Sequence, residues 1–164
     1  MTDLRALFHH LLRLEIELWE ALDRRLRAEL DISMANLDVL QAVARVPDAR
    51  VHDIATELSI TVGGTSKAID RMEAAGQCAR TPNPADRRSS IVALTPQGQD
   101  LLERALAVFD DELRLRIGSV LPQESLERLS TSLAMLRAAG PVIDERIYGS
   151  MPSRSAHSSN VSSE

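Results

Sequence analysis

Leucine recurs at steps of three and four residues over residues 3–30, and this spacing limits what the segment can form. The positions are Leu4, Leu7, Leu11, Leu14, Leu18, Leu22, Leu26 and Leu30. Such steps place side chains on one face of an α-helix, so the segment is predicted to be one long helix. A second apolar stripe runs through Phe8, Leu12, Ile16 and Trp19. A helix that is apolar on two sides has neighbours on two sides, and we expect one of them to be a second subunit.

The composition favours a mostly α-helical protein. Only 2% of the residues are aromatic, so the core must be aliphatic, and the abundant leucine and alanine favour helix. There is no signal-peptide pattern and no apolar run of membrane-spanning length, so we expect a cytoplasmic protein without membrane contact. The single cysteine, Cys78, cannot form an internal disulfide and is expected to be a buried apolar residue.

Three helices are predicted after the first one. Their ranges are 34–45, 53–58 and 62–75. Ser33 and Thr61 can cap the first and third of them, and Gly76 can end the third in a left-handed conformation. A short helix, a tight turn and a longer helix form the helix-turn-helix pattern. The positions expected to face the core are Leu37, Leu40, Val43 and Ala44 in the first of the three, and Val62, Thr65, Ile69 and Met72 in the third.

The pattern changes to that of β-strands after Gly76. Two short runs, QCAR and IVAL, are predicted to be strands, joined by a ten-residue connection from Thr81 to Ser90. Pro82 and Pro84 fix the backbone angle φ in this connection and stiffen it.

Two further helices and a tail complete the prediction. Thr95 caps a helix over 96–118 that begins with a proline. The last helix, over 122–147, keeps heptad spacing and is expected to be interrupted at Gly140–Pro141. The serine-rich segment 149–164 has little to bury and is expected to be disordered.

The outward face of the 62–75 helix favours a nucleic-acid surface. Its residues are Gly63, Gly64, Ser66, Lys67, Asp70 and Arg71. Each glycine costs about 1 kcal/mol relative to alanine in a helix, so two of them in the first turn need a reason. Small residues let the backbone approach a surface, and free N–H groups there suit phosphate, so docking into a major groove is one reason. A merely loosened turn is the alternative.

The hairpin connection carries Asp86, Arg87 and Arg88 on its stiffened arm. Arginine is the residue that enters a narrow minor groove of DNA. Asp86 can pair with a nearby arginine and hold the shape of the tip. We therefore interpret the hairpin as a wing whose Arg87 and Arg88 probe DNA.

Charge and motif content narrow the functional class. The net charge is −5, but residues 59–94 carry five basic and three acidic side chains, which suits a site-specific nucleic-acid binder. Neither a phosphate-binding glycine loop nor a nucleophile elbow occurs, so we expect no enzyme. The histidines lack the spacing of a metal site, and we expect neither metal nor cofactor. A zinc site assembled from residues distant in sequence stays open.

Three segments occur in a fixed order: SKAIDRMEAAG from Ser66, RTPNPADRRSS from Arg80 and VALTPQG from Val92. Together they resemble the MarR family of winged helix-turn-helix transcriptional regulators. The resemblance implies a mostly α-helical fold with a winged DNA-binding domain over 31–96 and dimerisation helices over 1–30 and 97–148. It also implies a homodimer that binds a pseudo-palindromic operator in double-stranded DNA.

The resemblance further implies roles for single residues. Ser66 and Lys67 match base- and phosphate-reading positions, and Arg71 matches a phosphate or wing-bracing contact. Asp86 and Arg88 match the wing motif D-x-R, with Arg88 in the minor groove, and Ser33 and Asn36 resemble phosphate anchors. The candidate DNA-binding residues are therefore Ser33, Asn36, Thr61, Gly63, Gly64, Ser66, Lys67, Arg71, Asp86, Arg87 and Arg88.

An effector site is a further expectation, because many members of the family bind small aromatic acids beside the dimerisation helices. The residues that could line a site for a small aromatic or phenolic effector are His9, His10, Arg13 and Trp19. Ordinary helix packing is the alternative role for these four. The sequence thus predicts a homodimeric, sequence-specific transcriptional regulator, a repressor rather than an activator. The alternative is a winged-helix module that binds protein without specific DNA binding.

Overall fold

The first helix is bounded by two aspartates. The computed structural model describes residues 3–84 and 86–148, and the side chains at 87, 88 and 141–148 lie outside the described part. Helix α1 spans Leu4–Leu30. The Asp3 carboxylate accepts the N–H of Arg5 at 2.9 Å, and Asp31 follows the last turn with a left-handed φ of 56°. The long helix predicted at this position is confirmed.

The helix-turn-helix is also confirmed. Helices α2, α3 and α4 span Met34–Arg45, Val51–Glu57 and Val62–Ala74. Ser33 caps α2, Thr61 caps α4, and Gly76 has a φ of 71°, as predicted. Helix α3 begins two residues earlier than predicted, because the Asp53 carboxylate accepts the N–H of Arg50 at 3.0 Å and stabilises the first turn.

The two strands are longer than predicted. Strands β1, Cys78–Asn83, and β2, Asp86–Leu94, pair antiparallel, with Pro82 opposite Ser90. The predicted ten-residue connection is therefore wrong, because the strands continue through most of it. Pro82 is compatible with a strand since each strand of a two-stranded sheet has one unpaired side, where a missing N–H breaks no ladder bond. At the base of this hairpin the N–H of Val92 donates to the carbonyl of Ala49 at 2.7 Å.

Helix α5 spans Pro96–Leu113 and continues as a π-helical turn, Arg114–Gly118; helix α6 spans Gln123–Tyr148. The predicted interruption at Gly140–Pro141 is wrong, because α6 runs through both residues. Pro141 removes one backbone hydrogen bond, and the other bonds of the helix keep the chain helical. The predicted disordered tail, 149–164, lies outside the described residues. None of the helices that the structure describes is long and apolar enough to cross a bilayer.

The chain forms two compact units, one ending at Ser119 and the other beginning at Val120. The core of the first unit joins helices α1 to α5 and the base of the hairpin. Its fully buried large apolar side chains are Leu26, Leu37, Leu40, Ile54, Ile69 and Val92. Two predicted core positions are wrong. Ala44 is exposed and Ala42 is buried instead, and Val62 is 48% exposed because α4 first reaches the core at Thr65.

A buried ion pair holds α1 against α5. The Glu112 carboxylate, in a residue only 6% exposed, accepts hydrogen bonds from Arg116 and, at 3.2 Å, from Arg25 of α1. The hydrogen bond from Arg116, followed by that from Arg25, holds the pKa of Glu112 below its ordinary value despite the opposing effect of burial. The carboxylate is therefore ionised in the folded protein at neutral pH.

Candidate nucleic-acid interface

The first turn of α4 is held by hydroxyl groups. Thr61 Oγ1 accepts the N–H of Gly64 at 3.2 Å, and the buried Thr65 hydroxyl donates to the Thr61 carbonyl at 3.0 Å. The N–H groups of Val62 and Gly63 precede the first intrahelical bonds and are directed out of the N-terminal end of the helix. Thr61 thus shapes this end of α4, and the helix presents two backbone donors there.

The two glycines of this turn are not equivalent. A Cβ at Gly64 would lie 3.1 Å from Thr61 Oγ1, whereas a Cβ at Gly63 would meet no described atom within 4 Å. Both residues have ordinary helical backbone, and Gly76 is the described glycine with positive φ. No contact among the described residues therefore requires glycine at position 63.

Ser66 lies in an open groove between the wing, defined here as β1, β2 and their connection, and helices α3 and α4. The groove has a volume of about 430 Å³, and its lining includes Val62, His52, Arg80 and Ser90. Lys67, one residue further along α4, is exposed. Ser66 and Lys67 thus share the open side of α4 with Gly63, as the sequence predicts.

Arg80 fixes the wing to α4. Its guanidinium donates to Asp70 at 2.6 Å and to Glu73, and the Glu73 carboxylate also accepts the Arg80 N–H at 3.0 Å. Burial lowers the pKa of Arg80, but the hydrogen bonds to Asp70 and Glu73 outweigh it and raise that pKa above its ordinary value. Because Arg80 lies in β1 and both acids lie in α4, this cluster sets the position of the wing relative to the helix.

The tip of the wing is held by short-range hydrogen bonds. The Asn83 amide donates to Ser89 Oγ at 3.1 Å, and the Ser89 hydroxyl donates to the Asp86 carbonyl at 3.1 Å. Arg87 and Arg88 lie within β2 rather than in a loop, and their side chains are outside the described part.

Asp86 lies within electrostatic reach of Arg50, which precedes α3. A hydrogen bond to Asp53 is the main cause that raises the pKa of Arg50, and the negative charge of Asp86 adds to it. Arg50 and Asp53 form an ion pair at 2.9 Å. Among the arginines whose side chains the structure describes, Arg50 of the α2–α3 connection is thus one that the charge of Asp86 stabilises.

Three further candidate DNA-binding residues, Ser33, Asn36 and Arg71, lie away from the groove beside the wing. Ser33 Oγ accepts the N–H of Asn36 at 3.1 Å, and its hydroxyl donates to Asn36 Oδ1 at 3.0 Å. Asn36 and Arg71 line a second groove, of about 670 Å³, whose lining also includes Trp19, Asp38 and Ile60. Burial raises the pKa of the Asp38 carboxyl in this groove. The wing brace found among the described contacts is Arg80 rather than Arg71.

The four effector candidates do not come together. Trp19 lines the second groove, while His9, His10 and Arg13 are exposed on the N-terminal part of α1. Arg13 instead forms an ion pair with Glu17 of the same helix at 3.2 Å. Trp19 is thus the one of the four that lines the groove beside α4.

Sequence reasoning missed Arg80 and Arg50. The partners of Arg80 lie seven and ten residues away in sequence, and the wing residue whose charge acts on Arg50 is Asp86, 36 positions further along the chain. A pattern that could have found Arg80 is the pair Asp70 and Glu73, which lie one turn apart on α4 and need a cation.

Comparisons with known proteins agree with this geometry. Residues 30–89 match the sequence model of the MarR family. The multiple antibiotic resistance protein MarR of Salmonella typhimurium is 31% identical over 75 residues, which are 46% of this chain and 52% of that protein. The chain spans about half the length of the curated relatives it matches.

Several solved structures share the fold, among them two that contain DNA. The transcriptional repressor CouR, bound to a 23-mer DNA duplex, has a TM-score of 0.72 and 28% identity over 80% of this chain and 92% of that one. Sco3205, a MarR family transcriptional regulator from Streptomyces coelicolor in complex with DNA, has a TM-score of 0.73 and 24% identity, covering 85% of this chain and 92% of that one.

Proposed function

We propose that the chain is a homodimeric transcriptional regulator of the MarR family that binds a specific sequence in double-stranded DNA; the match of residues 30–89 to the model of that family supports this. The observation that carries the proposal is the open N-terminal face of α4. This face carries Gly63, Ser66, Lys67 and the free backbone N–H groups of the first turn, and no described contact requires a glycine at position 63. It lies beside a wing that Arg80 fixes to α4.

In this function α4 enters the major groove. The donors at its N-terminal end bind a phosphate, Ser66 and Lys67 contact base edges and the adjacent backbone, and Gly63 lets the helix approach closely. The wing reaches the neighbouring minor groove with Arg88, where arginine is favoured by the negative potential. Asp86 and Arg50 hold the wing in shape.

The exposed apolar side chains support a homodimer. Leu4 and Phe8 on α1 are 74% and 61% exposed, and Leu136 on α6 is 61% exposed. Apolar faces of this extent mark protein–protein contacts. We assign dimerisation to 1–30 and 97–148 and DNA binding to 31–96. A two-fold dimer recognises an inverted repeat whose half-sites lie about 10 base pairs apart.

Repression and its release by a small ligand complete the proposal. CouR is a transcriptional repressor at 28% identity, which supports repression here. The groove beside Trp19 also contains Gly64, Ala68 and Arg71 of α4, so an aromatic or phenolic effector bound there contacts the DNA-reading helix. Trp19 is the single tryptophan of the chain, so quenching of its fluorescence by a panel of phenolic acids tests the effector site.

Selection from a pool of randomised duplexes tests the function. We expect the full-length protein to enrich an inverted repeat with the half-site spacing given above. Failure to enrich any sequence contradicts specific DNA binding and favours a protein-interaction module.

A further inference from the structure

We propose that Val62 is a specificity-determining residue that contacts the C5-methyl group of a thymine in the major groove; this inference rests on the proposed DNA binding. Val62 is the first residue of α4 and is 48% exposed, although its position in the amphipathic pattern would suit the core. Its side chain lines the groove between α3, α4 and the wing, whose other lining residues are polar, among them His52 and Ser66, with the exception of Val51.

The stiffness of Val62 and its position in α4 indicate which group of DNA it contacts. A β-branched side chain is stiff, so valine presents a fixed apolar surface at the end of the helix. In helix-turn-helix proteins the N-terminal residues of the second helix contact base edges. The thymine methyl is the apolar group that base edges present in the major groove, while the neighbouring groups are hydrogen-bond donors and acceptors. Contact with that methyl removes two apolar surfaces from water.

Ile60 provides a matched control within the same turn. It is also a β-branched residue that is 48% exposed, and only Thr61 separates it from Val62. However, Ile60 lines the groove beside Trp19 rather than the one beside the wing. The two residues therefore have equal exposure and different surroundings.

Uracil substitution tests the contact, because uracil lacks only the methyl group of thymine. The probe is the duplex selected by the full-length protein, with each thymine replaced in turn by uracil, and the readout is the dissociation constant from fluorescence anisotropy. We expect one thymine in each half-site at which uracil weakens wild-type binding by about fourfold, the value of one buried methyl group. Val62→Ala should be insensitive to uracil at that position, and Ile60→Ala should retain the wild-type sensitivity.

Val62→Thr keeps the shape of valine and replaces one methyl by a hydroxyl, so it guards against misfolding of the alanine variant. Because one methyl group remains in threonine, its response to uracil should lie between those of the wild type and Val62→Ala. Uracil effects that are absent at every position, or that persist undiminished in Val62→Ala and Val62→Thr, overturn the inference while leaving DNA binding intact. If no duplex is selected at all, the proposed function fails and the inference fails with it.

Discussion

Gly63→Ala separates what the fold needs from what DNA binding needs. The added Cβ meets no atom of the described residues within 4 Å, and the backbone at this position is ordinary helix. Alanine is the better helix former, so the free energy of unfolding should rise by about 0.5–1 kcal/mol. For a protein of this size the midpoint of thermal unfolding should then rise by about 1–4 °C.

The same methyl group should weaken DNA binding. If α4 docks closely against the duplex, the Cβ occupies space between the helix and the DNA. Overpacking of a close contact costs about 1–3 kcal/mol, so the dissociation constant should increase at least about fivefold. The assay combines denaturant unfolding with fluorescence anisotropy on the selected duplex.

Gly140→Ala is the control variant, because a Cβ at this position in α6 also meets no atom within 4 Å among the described residues. Because α6 lies in the region assigned to dimerisation, this variant is first checked to have the oligomeric state of the wild type; it should then bind DNA like the wild type. Stabilisation of Gly63→Ala without loss of DNA affinity would refute the close docking of α4. A loss of stability in Gly63→Ala would instead show that a methyl group does not fit at position 63.

Four further variants concern the wing and the α1–α5 contact. Arg80→Gln should lower the free energy of unfolding by about 1–2 kcal/mol and weaken DNA binding. The control Arg104→Gln, which breaks an exposed ion pair, should change the free energy of unfolding by less than about 0.5 kcal/mol. Equal effects of the two substitutions in denaturant unfolding would contradict this. Arg88→Ala should reduce the slope of log affinity for DNA against log salt concentration by about one unit. Asp86→Ala should weaken DNA binding although it removes a negative charge. Tighter DNA binding by Asp86→Ala at fixed salt concentration would exclude a role of Asp86 in bracing the wing. Glu112→Gln should lower the free energy of unfolding at pH 7. Because the pKa of Glu112 in the folded protein lies below the ordinary value of 4.5, the difference in stability between variant and wild type should shrink as the pH falls below that value. A difference in unfolding midpoints that does not depend on pH would exclude the ion pair.

The helix boundaries could be predicted because they depend on near neighbours. Ser33, Thr61 and Thr95 each accept a backbone N–H three residues further along the chain. Such caps are visible in a single sequence. The extent of the strands was not predictable in this way, because pairing of Pro82 with Ser90 depends on two segments that approach each other only in the fold.

The sequence also did not predict which residues at the ends of helices are buried, or which helices and strands are in contact. Val62 fits the apolar period of α4, yet the core begins one turn later. The pair Asp70 and Glu73 indicates that a cation lies nearby, but which arginine supplies it depends on how β1 packs against α4. The roles of Gly63 and Lys67 in DNA binding were inferred from residue type and stay predictions.

Affinity for the selected duplex and for a scrambled duplex of the same composition, across salt concentrations from about 50 to 200 mM, tests the central claim most directly. If α4 reads bases and the wing contacts the backbone, the protein should prefer the selected duplex by at least about 1000-fold, and both affinities should fall steeply as salt increases. Equal affinity for the two duplexes at every salt concentration would contradict sequence-specific recognition by this protein.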